Sequence, residues 1–355
     1  MIKAVPHVAA MSPYALADLG GAGAVSMAQN ESAFSPSPAA IKAGQAALES
    51  TALYPDPDWQ ELRASIANVH GLKPGQILCG AGSMELISAL FQGFVGKGDT
   101  VLGSRFGSAL GPLACGLAQA EFIAADEPGY AVSVESLMKQ ITPQIRMVYL
   151  CNPGNPTGTL IANAKLIELR EALPADVLLV IDQAYGEFGD MAQNRAELFA
   201  LVERGNTVIL RSFSKAYGLA GARVGWGYFP PDVAVEMRKL LNPNNISAVS
   251  QAMATAAMDD QQYMQKVVSQ TSDIRDKFAR DLRELGIQVP PSYTNFVLLR
   301  FETAEMAGQV DQALRAQGLM MRAMGGYGLP HCLRATICAP DVMERALSVL
   351  RQGKG

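Results

Sequence analysis

The sequence predicts an α/β fold with a mainly parallel sheet in a large domain, followed by a smaller α+β domain. Short apolar runs alternate with helical patterns between about residues 59 and 211. This alternation is typical of parallel strands that are covered on both faces. After Pro243 the pattern changes to a long helical stretch, and three more strand-like runs and a final helix follow.

The bulk composition is that of a globular protein. Hydrophobic residues make up 49% of the 355 residues, charged residues 17%, and the formal net charge is -4. No block of Lys and Arg occurs, so we expect no nucleic-acid partner. The five cysteines include no CxxC pair and the three histidines are scattered, which favours reduced thiols, a cytoplasmic location and no metal. Neither a signal peptide nor an apolar run of about 18 residues is recognisable, so we expect no membrane span.

Local patterns predict the individual elements. Residues 1–38 are expected to form an extended arm, with a short helix around Tyr14 to Leu19, that packs with the small domain. Residues 59–70 have helical spacing, and GLKPG ends this helix. The predicted strands of the large domain (39–246) are QILCG, TVLGS, IRMVYLCNP, VLLVID and NTVILR. Its other predicted helices are SMELISALFQGFV, for which a serine is a candidate cap, and AKLIELREAL.

The small domain (247–355) is predicted to begin with one helical stretch over about residues 247–286. The strand-like runs NFVLLRF, GLMMRAM and CLRATIC follow, with a short helix after the first of them. The helix DVMERALSVLRQ ends the domain.

Polar residues follow four of the predicted strands at the point where each strand ends. Ligands of open parallel sheets bind at the carboxyl ends of the strands, so these junctions are the candidate site. The residues concerned are Gly80-Ala81-Gly82-Ser83, the turn NPGNPTG after Cys151, Asp182 with Tyr185, and Ser212, Ser214 and Lys215.

Each of these residues also has an ordinary structural interpretation. The glycine turn is compatible with a tight turn alone, Asp182 with a helix N-cap, Tyr185 with the core, and Lys215 with a solvated helix start. The combination favours chemistry instead. A lysine that forms a Schiff base, a carboxylate that keeps a ring nitrogen protonated, and hydroxyls with Arg223 for a phosphate are what pyridoxal phosphate requires.

Three motifs carry a resemblance to a known family. SFSKAYGLAGARVGW, CNPGNPTG and DQAYGEF resemble, in order and spacing, the fold type I pyridoxal-phosphate-dependent aminotransferases of class I/II. The histidinol-phosphate aminotransferase branch is the most similar one, and the resemblance extends from MSPYALADLGG to CLRATICAP. It implies pyridoxal 5'-phosphate as cofactor and transfer of an amino group to a 2-oxo acid such as 2-oxoglutarate.

The resemblance also implies roles for individual residues. Lys215 would bind the cofactor and act as acid–base, Asp182 would pair with the pyridine nitrogen, and Tyr185 and Asn155 would contact the phenolic oxygen. Phe106 falls where the family has an aromatic residue that stacks on the ring. The phosphate would be held by Gly82, Ser83, Ser212, Ser214 and Arg223, and by Tyr54 of a second subunit, which implies a homodimer with shared active sites. The substrate would be bound by Arg334, Arg322, Tyr14 and Asn155.

The substrate and the reaction type stay open at this point. Gln183 and Phe34 replace a glutamate and a tyrosine of the family motifs, and the phosphate loop reads GAGS. The amino donor is therefore histidinol phosphate or an aromatic amino acid. The alternatives are an amino-acid decarboxylase of the same branch and a non-catalytic ligand-binding protein on this fold. An oxidoreductase is not favoured, because no GxGxxG motif follows a first strand.

Overall fold

The computed structural model describes residues 2–13 and 16–352, which form two β-sheets covered by helices. The strands are β1 (Val25–Met27), β2 (Ile77–Gly80), β3 (Thr100–Ser104), β4 (Glu121–Ala125), β5 (Ile145–Cys151), β6 (Leu178–Gln183), β7 (Thr207–Ser212), β8 (Gly225–Tyr228), β9 (Phe296–Arg300), β10 (Leu319–Ala323) and β11 (Cys332–Thr336).

The α-helices of the described residues vary from single turns to the long α12. They are α1 (Pro6–Ala9), α2 (Pro38–Ala47), α3 (Gln60–His70), α4 (Ser83–Phe94), α5 (Leu110–Leu117), α6 (Val134–Met138), α7 (Asn163–Ala172), α8 (Gly186–Gly189), α9 (Arg195–Glu203), α10 (Pro231–Met237), α11 (Ala248–Asp259), α12 (Gln261–Glu284), α13 (Ala304–Ala316) and α14 (Pro340–Gln352). None of these described helices combines the length and the apolar character needed to cross a bilayer.

The large sheet has seven strands in the order β2-β8-β7-β6-β5-β3-β4. Strands β3 to β7 pair in parallel, whereas β8 runs antiparallel to both of its neighbours. Strands β6 and β7 are buried along their whole length, because helices cover both faces of the sheet. The mainly parallel sheet predicted from the sequence is confirmed, and it brings the carboxyl ends of β5, β6 and β7 to one edge.

The small sheet has four strands in the order β1-β10-β11-β9. Strand β1 comes from the amino-terminal arm and pairs in parallel with β10, with Val25 opposite Leu319. The other pairs are antiparallel, and Arg322 on β10 lies opposite Arg334 on β11. A separate core, which includes Phe278, Leu299 and Leu347, packs this sheet against α12, α13 and α14. The arm is therefore joined to the small sheet by backbone hydrogen bonds.

Helix α11 packs with the large sheet, not with the small one. Its residues Ala254, Ala257 and Met258 belong to the core of the large sheet, and the helix lies against α2. The predicted single helical stretch is two helices, because the side chain of Asp260 accepts a hydrogen bond from the Tyr263 amide and caps α12. Met264 and Val268 of α12 still belong to the core of the large sheet, whereas Phe278 belongs to that of the small one, so the chain passes from one core to the other within α12.

Other sequence predictions differ from the structure at glycines and at the arm. Strand β8 was not predicted, because Gly225 and Gly227 alternate with aromatic residues and interrupt the apolar pattern of a strand. Glycine is required at position 225, since a Cβ there would lie 2.2 Å from the Ser83 nitrogen. Edge strand β4 was also missed. The arm helix lies at Pro6–Ala9, and residues 16–19 are not helical, while Tyr14 lies outside the described residues. The N-cap of α4 is Gly82, with no side-chain cap from a serine.

Candidate active site

A cavity of about 470 Å³ lies between the strand ends of the large sheet and the amino-terminal arm. Two groups of residues line it. The strand-end wall consists of Gly82, Ser83, Asn155, Asp182, Tyr185, Ser212, Ser214, Lys215 and Arg223. The opposite side, called the arm wall, combines two segments. The arm contributes Ala28, Gln29, Asn30 and Glu31, and the segment from β10 to β11 contributes Arg322, Tyr327 and Arg334. Most of the residues that the sequence analysis singled out therefore meet in one place.

Asp182 is a buried carboxylate at the end of β6. Its Oδ2 accepts a hydrogen bond from the Tyr149 hydroxyl at 3.0 Å, and its Oδ1 accepts one from the Ala184 amide at 3.0 Å. Burial raises the pKa of Asp182, while these hydrogen bonds and the charge of Lys215 oppose the rise. The carboxylate is thus oriented from its own strand and from the neighbouring strand β5.

Lys215 is half-buried in the turn that follows β7, and its Nζ reaches across the cavity to the arm. The amine donates hydrogen bonds to the carbonyl oxygens of Asn30 at 2.8 Å and Gln29 at 3.2 Å. Burial, together with the positive charges of Arg334 and Arg223, lowers the pKa of Lys215 to about 8. The neutral amine, which is the form that acts as nucleophile or base, is therefore more populated at neutral pH than that of an ordinary lysine.

Tyr185 is held at the boundary between the two walls. Its hydroxyl accepts a hydrogen bond from the Asn30 side-chain amide at 2.8 Å, and its ring packs edge-on against Phe296 at 5.2 Å between centroids. The Asn30 backbone amide in turn donates to Thr336 Oγ1 at 2.9 Å. The phenol is consequently oriented by a residue of the arm.

The start of α4 forms an anion cradle with the turn after β7. Gly82 has φ +78, and a Cβ at this position would lie 2.6 Å from Nη2 of Arg223, so only glycine allows the guanidinium to approach so closely. Ser212 and Ser214 also line the cavity. A helix N-terminus with a guanidinium and two hydroxyls suits a phosphate group.

Two arginines of the small sheet form the opposite side of the cavity. Arg334 is buried, and its guanidinium donates to Asn155 Oδ1 at 2.5 Å and to the Ala28 carbonyl oxygen at 2.7 Å. Arg322 lines the cavity from the neighbouring strand and is half-buried. Arg334 therefore links the NPGNPTG turn to the arm and places a fixed positive charge in the cavity.

The cavity concentrates positive charge in a protein whose net charge is -4. Among the described residues, its lining contains one lysine and three arginines (Arg223, Arg322 and Arg334) but, as acidic residues, only Asp182 and Glu31. Because this charge is partly shielded from water, it attracts anions more strongly than an exposed patch would. The site is thus suited to small molecules with phosphate or carboxylate groups.

Three residues of the sequence analysis are not brought to this cavity. Phe106 does not line it: its ring stacks on Tyr130 at 5.7 Å between centroids and packs against a small apolar cluster. A ring without polar atoms gains more from this packing than from a polar cavity wall, so the arrangement does not support its predicted contact with the cofactor. Tyr54 is 88% exposed and lies away from the chain's own cavity. Tyr14 lies outside the described residues.

Several residues that reach the site were not predicted from the sequence. Asn30 and Glu31 belong to the NESAFSP motif, but the motif alone does not show which of its side chains turns inward. Tyr149 precedes the NPGNPTG turn inside an apolar strand and has the pattern of a core residue. Their contacts depend on packing between elements. The one signal in the sequence is the strand alternation, which places Tyr149 on the same face of the sheet as Cys151, two residues later.

The fold and the lysine at the strand ends together define the fold type I group of pyridoxal-phosphate-dependent enzymes. Comparison with known proteins specifies the family. The model of the aminotransferase class I and II family matches residues 22–350. The chain belongs to this family.

Individual relatives cover almost the whole chain. The histidinol-phosphate aminotransferase of Rhodospirillum centenum is 40% identical over 326 residues, covering 91% of this chain and 90% of that protein. That of Jannaschia sp. (strain CCS1) is 38% identical and covers 93% and 91%. The crystal structure of histidinol-phosphate aminotransferase from Sinorhizobium meliloti, in complex with pyridoxal-5'-phosphate, superposes with a TM-score of 0.92 at 27% identity, covering 99% of this chain and 98% of that one. This protein is accordingly a pyridoxal-phosphate-dependent aminotransferase that acts on a small amino donor and a 2-oxo acid.

The residues of the cavity fit this cofactor. The cradle at Gly82 is closed to any side chain larger than hydrogen and is lined by Arg223, as a phosphate site requires. A buried carboxylate, Asp182, and an amine of lowered pKa, Lys215, line the same cavity. These are the groups that a pyridine nitrogen and an aldehyde need as partners.

Proposed function

We propose that this aminotransferase transfers the amino group of histidinol phosphate to 2-oxoglutarate. The main observation in support of this proposal is that Arg322 and Arg334 lie opposite each other on adjacent strands and both line the cavity. A donor with a phosphate and an acceptor with two carboxylates use two guanidinium groups, whereas the carboxylate of an aromatic amino acid needs one. The names of the relatives in R. centenum and Jannaschia sp. support the same substrate.

Bound pyridoxal phosphate supplies an aldehyde that links to amines and a ring that withdraws electrons from the substrate Cα. With the cofactor bound, the Lys215 amine would be the group that takes the proton from that Cα and holds it for return. The amine is prepared for this step because burial and the charges of Arg334 and Arg223 lower its pKa. The donor would leave as an oxo compound, and the 2-oxo acid would take up its amino group.

The remaining residues of the strand-end wall bind and orient. Asp182 provides a negative charge for the protonated ring nitrogen, and its two hydrogen bonds prevent it from turning away. Tyr185, oriented by Asn30, and Asn155 supply polar contacts to the phenolic oxygen. Gly82, Ser83, Ser212, Ser214 and Arg223 bind the cofactor phosphate. Arg322 and Arg334 bind the anionic groups of the substrates.

We also propose that the protein is a homodimer in which Tyr54 completes the partner's site. Tyr54 is 88% exposed, and the neighbouring Leu53 and Leu48 are 73% and 57% exposed, an unusual cluster for a monomer surface. Met84, which is 50% exposed, lines the cavity. Sedimentation equilibrium is expected to give twice the chain mass of 37.7 kDa. A monomer at micromolar concentration would contradict the shared site.

For the location we propose the cytoplasm, in keeping with five free thiols of which four are buried.

The substrate is tested by comparing amino donors. The purified protein, loaded with pyridoxal phosphate, is assayed with histidinol phosphate and with phenylalanine at equal concentrations, with 2-oxoglutarate as acceptor. We expect kcat/KM for histidinol phosphate to exceed that for phenylalanine by about 100-fold. This is the typical effect of one additional hydrogen-bonded contact between charged groups, here between a guanidinium and the donor's phosphate. Arg322→Ala should reduce the first value and leave the second unchanged. A preference for phenylalanine would overturn the donor but not the aminotransferase class. Release of carbon dioxide from phenylalanine, in place of an oxo acid, would indicate a decarboxylase.

A further inference from the structure

Tyr149 is a buried phenol that no step of the proposed reaction uses. It lies on β5, the strand that pairs in parallel with β6, and Cys151 on the same strand lies opposite Asp182. The Tyr149 hydroxyl is 3.0 Å from Oδ2 of Asp182 and 3.8 Å from the Cys151 sulfur. The phenol therefore approaches the buried carboxylate from a strand that carries none of the acid–base residues.

The position of the Tyr149 ring is determined by close packing. The Phe91 ring of α4 meets it edge-on at 5.7 Å between centroids. Gly111 of α5 lies on another side, where a Cβ would be only 3.0 Å from the ring. With 4% of its surface exposed, Tyr149 has no access to bulk water. The hydroxyl is therefore directed to Asp182 by the same packing that holds the ring.

The hydrogen bond has a defined direction. Burial and the charge of Asp182 raise the pKa of Tyr149 well above its usual range, so the phenol stays protonated and donates. Asp182 accepts this hydrogen bond on Oδ2 and the Ala184 amide on Oδ1, and the Cys151 thiol lies 3.6 Å from Oδ2. Donated hydrogen bonds favour the charged form of a carboxylate and offset the cost of burying it.

We propose that Tyr149 is a positioning residue that keeps Asp182 ionised and oriented for the pyridine nitrogen of the bound cofactor. This inference rests on the role proposed above for Asp182. The hydroxyl acts only through the carboxylate. Its contribution is accordingly expected to disappear when the carboxylate is absent.

The test is a double-mutant cycle on cofactor binding. Apoprotein is titrated with pyridoxal phosphate, and the dissociation constant is measured for the wild type, Tyr149→Phe, Asp182→Asn and the double variant. We expect Tyr149→Phe to weaken binding by about tenfold, as for loss of one hydrogen bond to a charged group, and to have no further effect in the Asp182→Asn background. Tyr228→Phe is the matched control, because Tyr228 is a buried tyrosine at the far side of the sheet whose hydroxyl pairs with Glu203.

A second readout reports on the ring nitrogen directly. With pyridoxal phosphate labelled with ¹⁵N in the ring, the nitrogen resonance of the wild type should be that of a protonated pyridine. That of Tyr149→Phe should move towards the unprotonated value obtained with Asp182→Asn. If Tyr149→Phe does not fold, 3-fluorotyrosine at position 149 replaces it; its more acidic hydroxyl is a stronger donor and should shift the resonance in the opposite direction.

The outcomes separate this inference from the proposed function. A wild-type protein that does not bind pyridoxal phosphate would contradict the function itself. Normal binding by the wild type, with Asp182→Asn impaired and Tyr149→Phe unchanged in both readouts, would overturn only the role of Tyr149. Equal losses for Tyr149→Phe in both backgrounds would also overturn it, because the phenol would then act independently of Asp182.

Discussion

The strand-end wall and the arm wall of the cavity are assembled over very different distances along the chain. Asp182 is bonded to Tyr149, which is 33 residues away on the next strand of the same sheet. In the arm wall Asn30 is hydrogen-bonded to Tyr185, which is 155 residues away in the sequence, and to Thr336, which is 306 residues away. The first wall follows from the topology of one parallel sheet. The second requires the arm, both sheets and their packing to be in place.

This difference separates two parts of the chemistry. The strand-end wall carries the groups that suit the cofactor, and a parallel sheet places them together whenever it folds. The arm wall carries Arg322 and Arg334, for which we propose substrate binding, and Asn30, which contacts the Lys215 amine and the Tyr185 phenol. Changes in the first wall should therefore abolish turnover, whereas changes in the second should alter substrate binding and orientation.

The largest effect is expected for Lys215→Ala. Loss of the amine removes the group that moves the proton, so kcat should fall by at least about 10³-fold, a typical contribution of acid–base catalysis. Steady-state rates with 2-oxoglutarate measure it. Lys73→Ala is the control, because the Lys73 side chain is 68% exposed and pairs with Glu203 at the surface. Comparable rates for the two variants would contradict the role of the strand-end wall.

Arg334→Lys is expected to act mainly on binding. A lysine keeps the charge but loses the planar fork that reaches both Asn155 and the Ala28 carbonyl, so KM for the donor should rise about 100-fold with a smaller change in kcat. Initial rates over a range of donor concentrations separate the two constants. Arg300→Lys, on the neighbouring strand β9 but exposed, is the matched control. A selective loss of kcat would mean that the arm wall takes part in the chemical step.

Asn30→Gly tests the link between the walls. Glycine accepts the left-handed backbone of Asn30 (φ 55) but removes the amide that holds the Tyr185 hydroxyl, so kcat should fall about tenfold. Stopped-flow measurement of a single half-reaction gives this rate. Asn244→Gly is the control, since Asn244 has φ 59 and does not line the cavity. An unchanged rate in Asn30→Gly would show that the strand-end wall orients Tyr185 without the arm.

The smallest effect is a shift in pH dependence. The neutral form of Lys215 attacks the aldehyde, so reconstitution of the apoprotein with pyridoxal phosphate should accelerate with rising pH, with a midpoint near the Lys215 pKa of about 8. Burial is the main cause of the lowered pKa, and the charge of Arg334 adds to it. Removing that charge in Arg334→Gln favours the protonated amine, so the midpoint should move to higher pH, by less than about one unit. Movement to lower pH would contradict the assigned charge effect.

The sequence predicted the mainly parallel sheet and the junctions after β5, β6 and β7 because buried parallel strands have a strong local pattern. Asp182 and Lys215 stand at the ends of such strands, so their meeting could be foreseen. Strand β8 could not, since Gly225 is required by the approach of Ser83 from α4, a contact between elements distant in the chain. For the same reason the inward orientation of Asn30 and the outward packing of Phe106 were not predictable.

The sequence by itself thus determined the large-sheet fold, the cofactor class and the residues of the strand-end wall, because hydrophobic periodicity and strand-end motifs are local properties. Only the tertiary structure decided that Asn30 orients Tyr185, that Tyr149 donates to Asp182, and that the Arg334 guanidinium joins the NPGNPTG turn to the arm. Each of these contacts joins different elements. The contact of Tyr149 depends on the pairing of β5 with β6, and those of Asn30 and Arg334 on how the arm and the two sheets pack together, which no local pattern of residues encodes.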